Sequence, residues 1–302
     1  MTGLATSQIW RMARRLPDVR PLRVVPWLLM LVLLLNAPDA WYLRTPLVAL
    51  AAAGMVVRRI VYAPAYWYCV ATLLGATVYL NWESSDNHKY LFVYAALALC
   101  CVFSLPRTQQ DEALAKTSRL LIGVCMLLAT LWKLANPQYV NGGFFTYELL
   151  VDPRFAGLAS WLGDLSTTDL AANRALRELL VSGTTRGIDV TTVSLGSSTR
   201  IGLLATALTW WTVLIEGLIA LLFLLPDSRR VARMRNMALL VFGASTYCIA
   251  PVRGFGWILM LLGLGQCGER ERAFRPAYLA AFVLIQVYLT PIGEILELLW
   301  QA

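Results

Sequence analysis

The sequence predicts an all-α protein, a polytopic transmembrane helix bundle of about nine spans. Hydrophobic residues make up 58% of the 302 residues and charged residues 15%, and the mean hydropathy is +0.61, far from soluble-domain averages. Apolar runs follow one another along the chain, and each spanning helix needs roughly 20 apolar residues to cross a hydrocarbon core of about 30 Å. Arginines gather at the ends of these runs. We therefore expect a lipid bilayer to surround most of the chain.

The apolar runs define the helices in order. They occupy about 24–35, 41–57, 60–81, 90–105, 117–135, 200–225, 236–252, 254–267 and 277–299. The first run is short and NAPDA follows it, so residues 24–57 form two spans, a re-entrant hairpin or one kinked helix. The stretch LASWLGDLSTTDLAANRALRELL, in the long segment after the fifth run, has helical spacing of Leu and Trp. It predicts a helix that lies on the membrane surface or caps the bundle.

This order divides the chain into four parts with no Pro/Gly/Ser linker between separate domains. They are a basic cytoplasmic tail (1–23), helices with an outer DNHK turn (24–135), an outer-face segment (136–199) and the remaining helices (200–302). The tail carries several arginines but no cleavable signal pattern, so we expect it to be retained.

The distribution of basic residues predicts the orientation. With the N-terminus in the cytoplasm, every cytoplasmic connection carries arginine, namely Arg58–Arg59 and the 106–119, 227–235 and 269–275 loops. We therefore expect a plasma-membrane protein whose DNHK turn, 136–199 segment and C-terminus face outward.

The net charge and the cysteines do not indicate a nucleic-acid-binding protein or a metal-binding protein. The formal charge of +8 comes with arginines at helix ends, which orientation explains, so we expect no nucleic-acid partner. Six cysteines lie in or beside apolar runs without a C-x-x-C pair, which is typical of small buried side chains. We predict no metal site.

Ionisable residues in or beside a span are costly and mark candidate sites. Asn87 and His88, the only histidine, lie at the outer start of the fourth apolar run. Lys133 lies close to the outer end of the fifth apolar run. Helix capping by Asp86 or Asn87 and snorkelling of Lys133 are the structural alternatives. Held in apolar surroundings, Lys133 instead loses the solvation of its charged form and becomes a usable general base. We expect His88 and Lys133 to reach the same outer leaflet and share a site.

Two further candidates lie in the later runs. Glu216 is deep in TWWTVLIEGLIALLFLL, where a carboxylate must be protonated or paired. Arg253, in APVRGFGW, lies at the outer turn between the seventh and eighth runs and is equally suited to anchoring the helix at the membrane interface.

Two stretches together resemble a known family. DNHKYLFVYAAL resembles the Asn-Asn-His-Ser-Tyr-Leu helix start of vitamin K-dependent gamma-glutamyl carboxylase, and KLANPQYVNGG resembles that family's segment of Lys-Leu, an aromatic residue, Val, an acid or amide, and Gly. EGLIALLFLLPDSRR is similar to a later family helix more loosely. The wider bacterial set is the HTTM (horizontally transferred transmembrane) family, and the resemblance covers roughly residues 20 to 299.

The resemblance implies a vitamin K-dependent carboxylase-like bundle with an outward-facing site. Lys133 would deprotonate a reduced quinone, vitamin K hydroquinone in the family and menaquinol in a bacterium. His88 with Asn87 would orient the base or the quinol oxygen. Oxygen would then convert the quinol to a strong base that removes a glutamate gamma-carbon proton, after which carbon dioxide adds. The implied activity is therefore that of a quinol-dependent carboxylase or oxygenase.

Three departures from the family pattern open an alternative function. Tyr139, a further candidate site residue, replaces a tryptophan one residue further from the lysine, and STYCIAPVRGFGW has no counterpart of the family's later histidine. The chain ends at Ala302 without the carboxylase's large lumenal domain, so we expect a partner protein to supply it or to present a peptide substrate. The alternative is a non-catalytic membrane protein acting in export, immunity or assembly.

Overall fold

The structure, a computed structural model, describes residues 18–35, 40–85, 87–182, 194–249 and 252–289. Within these ranges the chain is all-α and contains no strand, which confirms the predicted class. The α-helices are α1 (Pro21–Leu35), α2 (Trp41–Val56), α3 (Pro64–Leu80), α4 (Asn87–Ser104), α5 (Arg107–Ala135), α6 (Pro137–Val140), α7 (Gly143–Val151), α8 (Ala156–Trp161), α9 (Thr167–Val181), α10 (Thr199–Leu224), α11 (Arg229–Ile249), α12 (Arg253–Gly265) and α13 (Arg275–Leu289).

The apolar runs predicted the positions of the long helices. Each run overlaps its own helix, α1 to α5 before the 136–199 segment and α10 to α13 after it. α1 and α2 are separate helices on either side of residues 36–39, which lie outside the described ranges. Most of the predicted tail and the end of the last run, 290–299, also lie outside them.

Among the described residues, two helices, α5 and α10, are long and apolar enough to cross a membrane. α5 has 29 residues and α10 has 26, which at 1.5 Å per residue exceeds a hydrocarbon core of about 30 Å. α1, α2, and most of α4 and α12 are apolar but shorter. The other predicted spans therefore rest on the apolar pattern alone.

The helices group into two compact units. The first unit comprises residues 1–125, 219–247 and 252–302, and the second comprises 126–218 and 248–251. Two of the boundaries, after residues 125 and 218, fall inside the helices α5 and α10.

In the first unit, α12 is the central helix. It packs against α1, α4 and α13, and its residues from Gly256 to Gly265 are all buried. A helix that is apolar on every face is stable only when other helices surround it. α3 and α4 form the most extensive helix pair of this unit, and α2 packs against both α1 and α3.

In the second unit, the 136–199 segment folds into short helices around a core of its own. Phe145, Leu149 and Phe155 are buried in this core together with Ile201 and Ala205 of α10. The predicted surface helix is two helices, α8 and α9, because Asp164 between them adopts a positive φ of 58°. Ser166 then begins α9 with a capping box formed with Asp169.

Candidate functional site

Lys133 and Glu216 form an ion pair inside the second unit. Lys133 lies in the last turn of α5 and Glu216 in the middle of α10, 83 positions later in the chain. Lys133 Nζ donates a hydrogen bond of 2.5 Å to Glu216 Oε1, and the two side chains are 15% and 8% exposed. Of the two states expected for Glu216, protonated or paired, the structure shows the paired one.

The second carboxylate oxygen of Glu216 has no protein partner. Oε2 is buried and accepts no hydrogen bond from any residue that the structure describes. Leaving a buried acceptor unsatisfied costs roughly 1–3 kcal/mol, more for a charged group. Such an atom is therefore a position where a bound donor would be stabilised.

Tyr139 forms an aromatic wall beside the ion pair. Lys133 Nζ lies 5.2 Å from the centroid of the Tyr139 ring, within cation–π range, and Phe144 stacks on the same ring at 5.2 Å. The ring is 3% exposed, and its hydroxyl is 2.7 Å from Thr212 Oγ1. Burial raises the pKa of Tyr139 above its ordinary value, so the phenol stays protonated at neutral pH and is not a base.

The sequence LANPQYVNGG builds this wall through a cap and a tight turn. Asn136 accepts a hydrogen bond from the Gln138 backbone N–H at 3.0 Å, and Pro137 follows as the first residue of α6. Gly142 then reverses the chain with a φ of +81°, a conformation that glycine adopts without strain. The short α6 between them positions Tyr139 next to Lys133, which lies in the last turn of α5.

Threonine hydroxyls complete the polar lining, and the sequence pattern had not marked them. Thr130 donates to the Met126 carbonyl at 2.8 Å and faces Gly217, where an added methyl group would lie 3.6 Å from Thr130 Cγ2. Thr212 donates to the Thr209 carbonyl at 2.9 Å, so the Tyr139 hydroxyl is the donor to Thr212. The signal in the sequence was the TALTWWTVLIE spacing, which places Thr209, Thr212 and Glu216 on one face of α10.

His88 lies in the first unit, on the first turn of α4. Its ring is partly buried and meets Phe92 edge-on, with centroids 6.2 Å apart. Gly254 of α12 also packs against this ring. The histidine-free region STYCIAPVRGFGW therefore contributes a glycine to the surroundings of His88. For Asn87 and Arg253 the structure describes the helical backbone alone, and Asp86 lies outside the described residues.

The predicted site residues thus fall into two groups. Lys133, Glu216 and Tyr139 meet in the second unit, whereas Asn87, His88 and Arg253 belong to the first. Cooperation between His88 and Lys133 stays a prediction. In the described ranges, no group of three or more His, Cys, Asp or Glu side chains is arranged to hold a metal ion.

A second polar cluster, in the first unit, was not predicted. Asn236 Oδ1 accepts hydrogen bonds from Gln266 Nε2 at 2.6 Å and from the Tyr278 hydroxyl at 2.8 Å. Arg235 donates to Gln266 at 3.0 Å and pairs with Asp227 at 2.7 Å. Asn236 and Gln266 are almost fully buried, and their polar groups have partners, so this cluster has a structural role.

Comparisons of the chain with protein-family models, with curated proteins and with solved structures found no match.

Proposed function

We propose that this chain is an integral plasma-membrane enzyme in which the Lys133–Glu216 pair removes a proton from a reduced quinone, menaquinol in a bacterium. The observation that carries the proposal is the pair itself, which joins α5 and α10, the two helices long enough to span a bilayer. An ion pair with an open carboxylate oxygen inside a membrane protein is costly and therefore marks a functional site.

Exposed apolar surface supports insertion into the membrane. On α5, the large side chains Leu120, Leu128, Leu131 and Trp132 are all exposed, and α10 exposes Leu203, Leu214 and Leu221 in the same way. Surfaces of this kind associate or precipitate in water, whereas hydrocarbon solvates them. The proposal extends this to the other apolar helices and to a bundle of about nine spans.

Aromatic side chains support the proposed orientation in the first unit. α2 and α3 pack together and are joined by a short connection that carries the exposed pair Arg58–Arg59. At their far ends, Trp41 is 76% exposed and Tyr79 is 80% exposed. Tryptophan and tyrosine prefer the membrane–water interface, and arginine prefers the cytoplasmic side. The aromatic ends of α2 and α3 would therefore face outward.

The chemistry of the pair suits proton removal in a medium of low dielectric constant. Water no longer competes for the proton shared by Lys133 Nζ and Glu216 Oε1, so the proton can move between the two atoms with little rearrangement. The buried Tyr139 ring beside them, stacked on Phe144, keeps the surroundings of the pair apolar.

The resemblance to vitamin K-dependent carboxylases supplies the choice of quinol as substrate. As a member of the HTTM set, the chain would use Asn87 and His88 to orient the quinol oxygen, with Arg253 near the outer turn. Oxygen would then convert the deprotonated quinol to a strong base that removes a gamma-carbon proton from a glutamate of a peptide, to which carbon dioxide adds, with a partner protein holding that peptide.

Turnover in lipid nanodiscs tests the proposal. Wild-type protein and Lys133→Ala would be incubated with menaquinol, oxygen and labelled carbon dioxide, and quinol oxidation and label incorporation measured. Lys116→Ala is the matched control, because Lys116 lies on the same helix but forms an exposed pair with Glu112. We expect the wild type and the control to oxidise menaquinol at similar rates. The rate of Lys133→Ala should be at least about 100-fold lower, the usual contribution of a general base. Equal rates in all three proteins would refute the role of Lys133, and the absence of turnover in all three would refute the enzymatic function.

The same experiment also tests the alternative function, that of a non-catalytic membrane protein in export, immunity or assembly. One observation favours it, namely that Lys133 already has a partner, as lysines in purely structural ion pairs do. In that case Lys133→Ala would lower the melting temperature without any menaquinol turnover in the wild type to lose.

A further inference from the structure

The two oxygens of the Glu216 carboxylate are in different states. Oε1 accepts the hydrogen bond from Lys133, and Oε2 is buried without a partner among the described residues. The hydroxyls of Thr130 and Thr212 cannot fill this position as they stand, because they donate to the Met126 and Thr209 carbonyls. Oε2 therefore remains an open acceptor on the carboxylate, the anionic group of this site.

The lysine of such a pair cannot itself accept a proton. An ammonium group has three donors and no lone pair, whereas an ionised carboxylate accepts through both oxygens. Any proton that the ion pair gains must therefore end on Glu216. The charged and titratable groups described around this carboxylate are Lys133 from α5 and Tyr139 from α6, and Tyr139 is a neutral phenol.

From this geometry we infer that Glu216 is the net proton acceptor of the site, and that Lys133 balances the charge of the product. This inference rests on the proposed function, because it assigns roles within the same site. The substrate it requires is a small molecule with an acidic O–H group.

The proton balance of the step is simple. The donor's O–H bond breaks, and its proton reaches Oε2 directly or reaches Nζ after the lysine has passed its own proton to Oε1. Either route ends with Glu216 as a carboxylic acid, Lys133 as an ammonium ion and the donor as an anion. No electrons move in this step.

The charges explain why the pair is arranged in this way. Before the step, Lys133 is neutralised by Glu216, and afterwards it is the counter-ion of the new anion. An anion formed in a medium of low dielectric constant needs such a partner nearby, since an unpaired charge there costs several kcal/mol. Lys133 thus changes its partner while the net charge of the site with its substrate stays constant.

Infrared spectroscopy of the protein in nanodiscs tests the inference independently of turnover. A protonated carboxylic acid has a carbonyl stretching band that a carboxylate lacks. We expect this band to grow when menaquinol is added under anaerobic conditions and to be absent from Glu216→Gln. Glu112→Gln is the matched control, because Glu112 is exposed and paired on α5, and its spectrum should follow the wild type.

Two further results separate the inference from the proposed function. Glu216→Asp keeps a carboxylate and should show the band at a shifted position, which guards against misfolding of the glutamine variant. If acidification produces the band but menaquinol does not, and no quinol is oxidised, the proposed function fails and the assignment of Glu216 as the group that takes up the proton stands. If Glu216→Gln oxidises menaquinol at the wild-type rate, or if neither acid nor menaquinol produces the band, the inference is overturned.

Discussion

The imidazole ring of His88 lies directly against the backbone of Gly254. A methyl group added at Gly254 would lie 2.5 Å from Cδ2 and 2.8 Å from Nε2 of this ring, too close for any real contact. The first turn of α12 can therefore approach α4 only because position 254 has no side chain. The glycine of the RGFGW motif thus sets the place of the chain's single histidine.

Gly254→Ala should move the His88 ring and destabilise the first unit by about 1–3 kcal/mol, the usual cost of overpacking. Because the chain has one histidine, its imidazole NMR signals report the displacement without assignment. Gly75→Ala is the control, since nothing lies within 4 Å of that position. Unchanged histidine signals in Gly254→Ala would contradict the close contact.

Gly142→Ala should destabilise the second unit and loosen the wall beside Lys133. The φ of +81° at this turn forces an alanine into a left-handed conformation that costs about 1–2 kcal/mol. Chemical denaturation in nanodiscs measures the loss. Gly157→Ala in α8 is the matched change, because that glycine has a negative φ and open space around it. Equal stabilities of the two variants would contradict the left-handed backbone conformation at Gly142.

The stability of the second unit should fall as the pH rises between about 4.5 and about 7, because of Glu148. Burial, followed by a hydrogen bond and the charge of Asp152, raises the pKa of Glu148 from 4.5 to about 7, although Arg154 and Arg177 oppose the rise. The folded chain therefore holds a proton in this window that the unfolded chain releases, and deprotonation removes the advantage.

Melting temperatures of the wild type, Glu148→Gln and the exposed-site control Glu178→Gln across this window test the assignment. Glu148→Gln should lose the decrease, and the control should keep it. Asp152 does not change the stability in this pH window. Burial raises the pKa of Asp152, but hydrogen bonds from Arg154 outweigh burial and lower it. The contribution of Asp152 to stability is therefore lost only below about pH 3.8. A decrease of the same size in Glu148→Gln would show that another group is responsible.

Tyr278→Phe should destabilise the first unit by about 0.5–1.5 kcal/mol, the net value of one hydrogen bond. Asn236→Leu should cost more, because it leaves both Tyr278 and Gln266 without the acceptor they share. Tyr68→Phe, at an exposed position, serves as the control in the same unfolding assay. If Asn236→Leu lowered the unfolding free energy less than Tyr278→Phe, Asn236 would not be the shared acceptor on which the two donors depend.

The sequence predicted the helices better than their ends. Continuous apolarity marks the part of a helix that needs an apolar environment, so the run at 117–135 was recognised. α5 nevertheless begins at Arg107, because the polar RTQQDEALAK stretch continues the same helix and is supported by the Glu112–Lys116 pair. α11 likewise begins at Arg229, ahead of its apolar run.

The sequence marked Lys133, Glu216 and Tyr139 as candidates one by one, but not as a group. Hydropathy shows that a charge in an apolar run is costly, and this singles out Lys133 and Glu216. It contains nothing about the rotation of α5 against α10, which decides that these two side chains meet. The orientation argument placed Arg235 and Arg275 in cytoplasmic loops, and packing buries both side chains.

The most direct test of the central claim is a double-mutant cycle on menaquinol oxidation in nanodiscs, with Lys133→Ala, Glu216→Gln and the double variant. A shared proton requires both residues, so we expect each single change to lower the rate at least about 100-fold and the double change to lower it little further. Wild-type activity in either single variant, or losses that multiply in the double variant, would contradict a Lys133–Glu216 pair that acts as one unit.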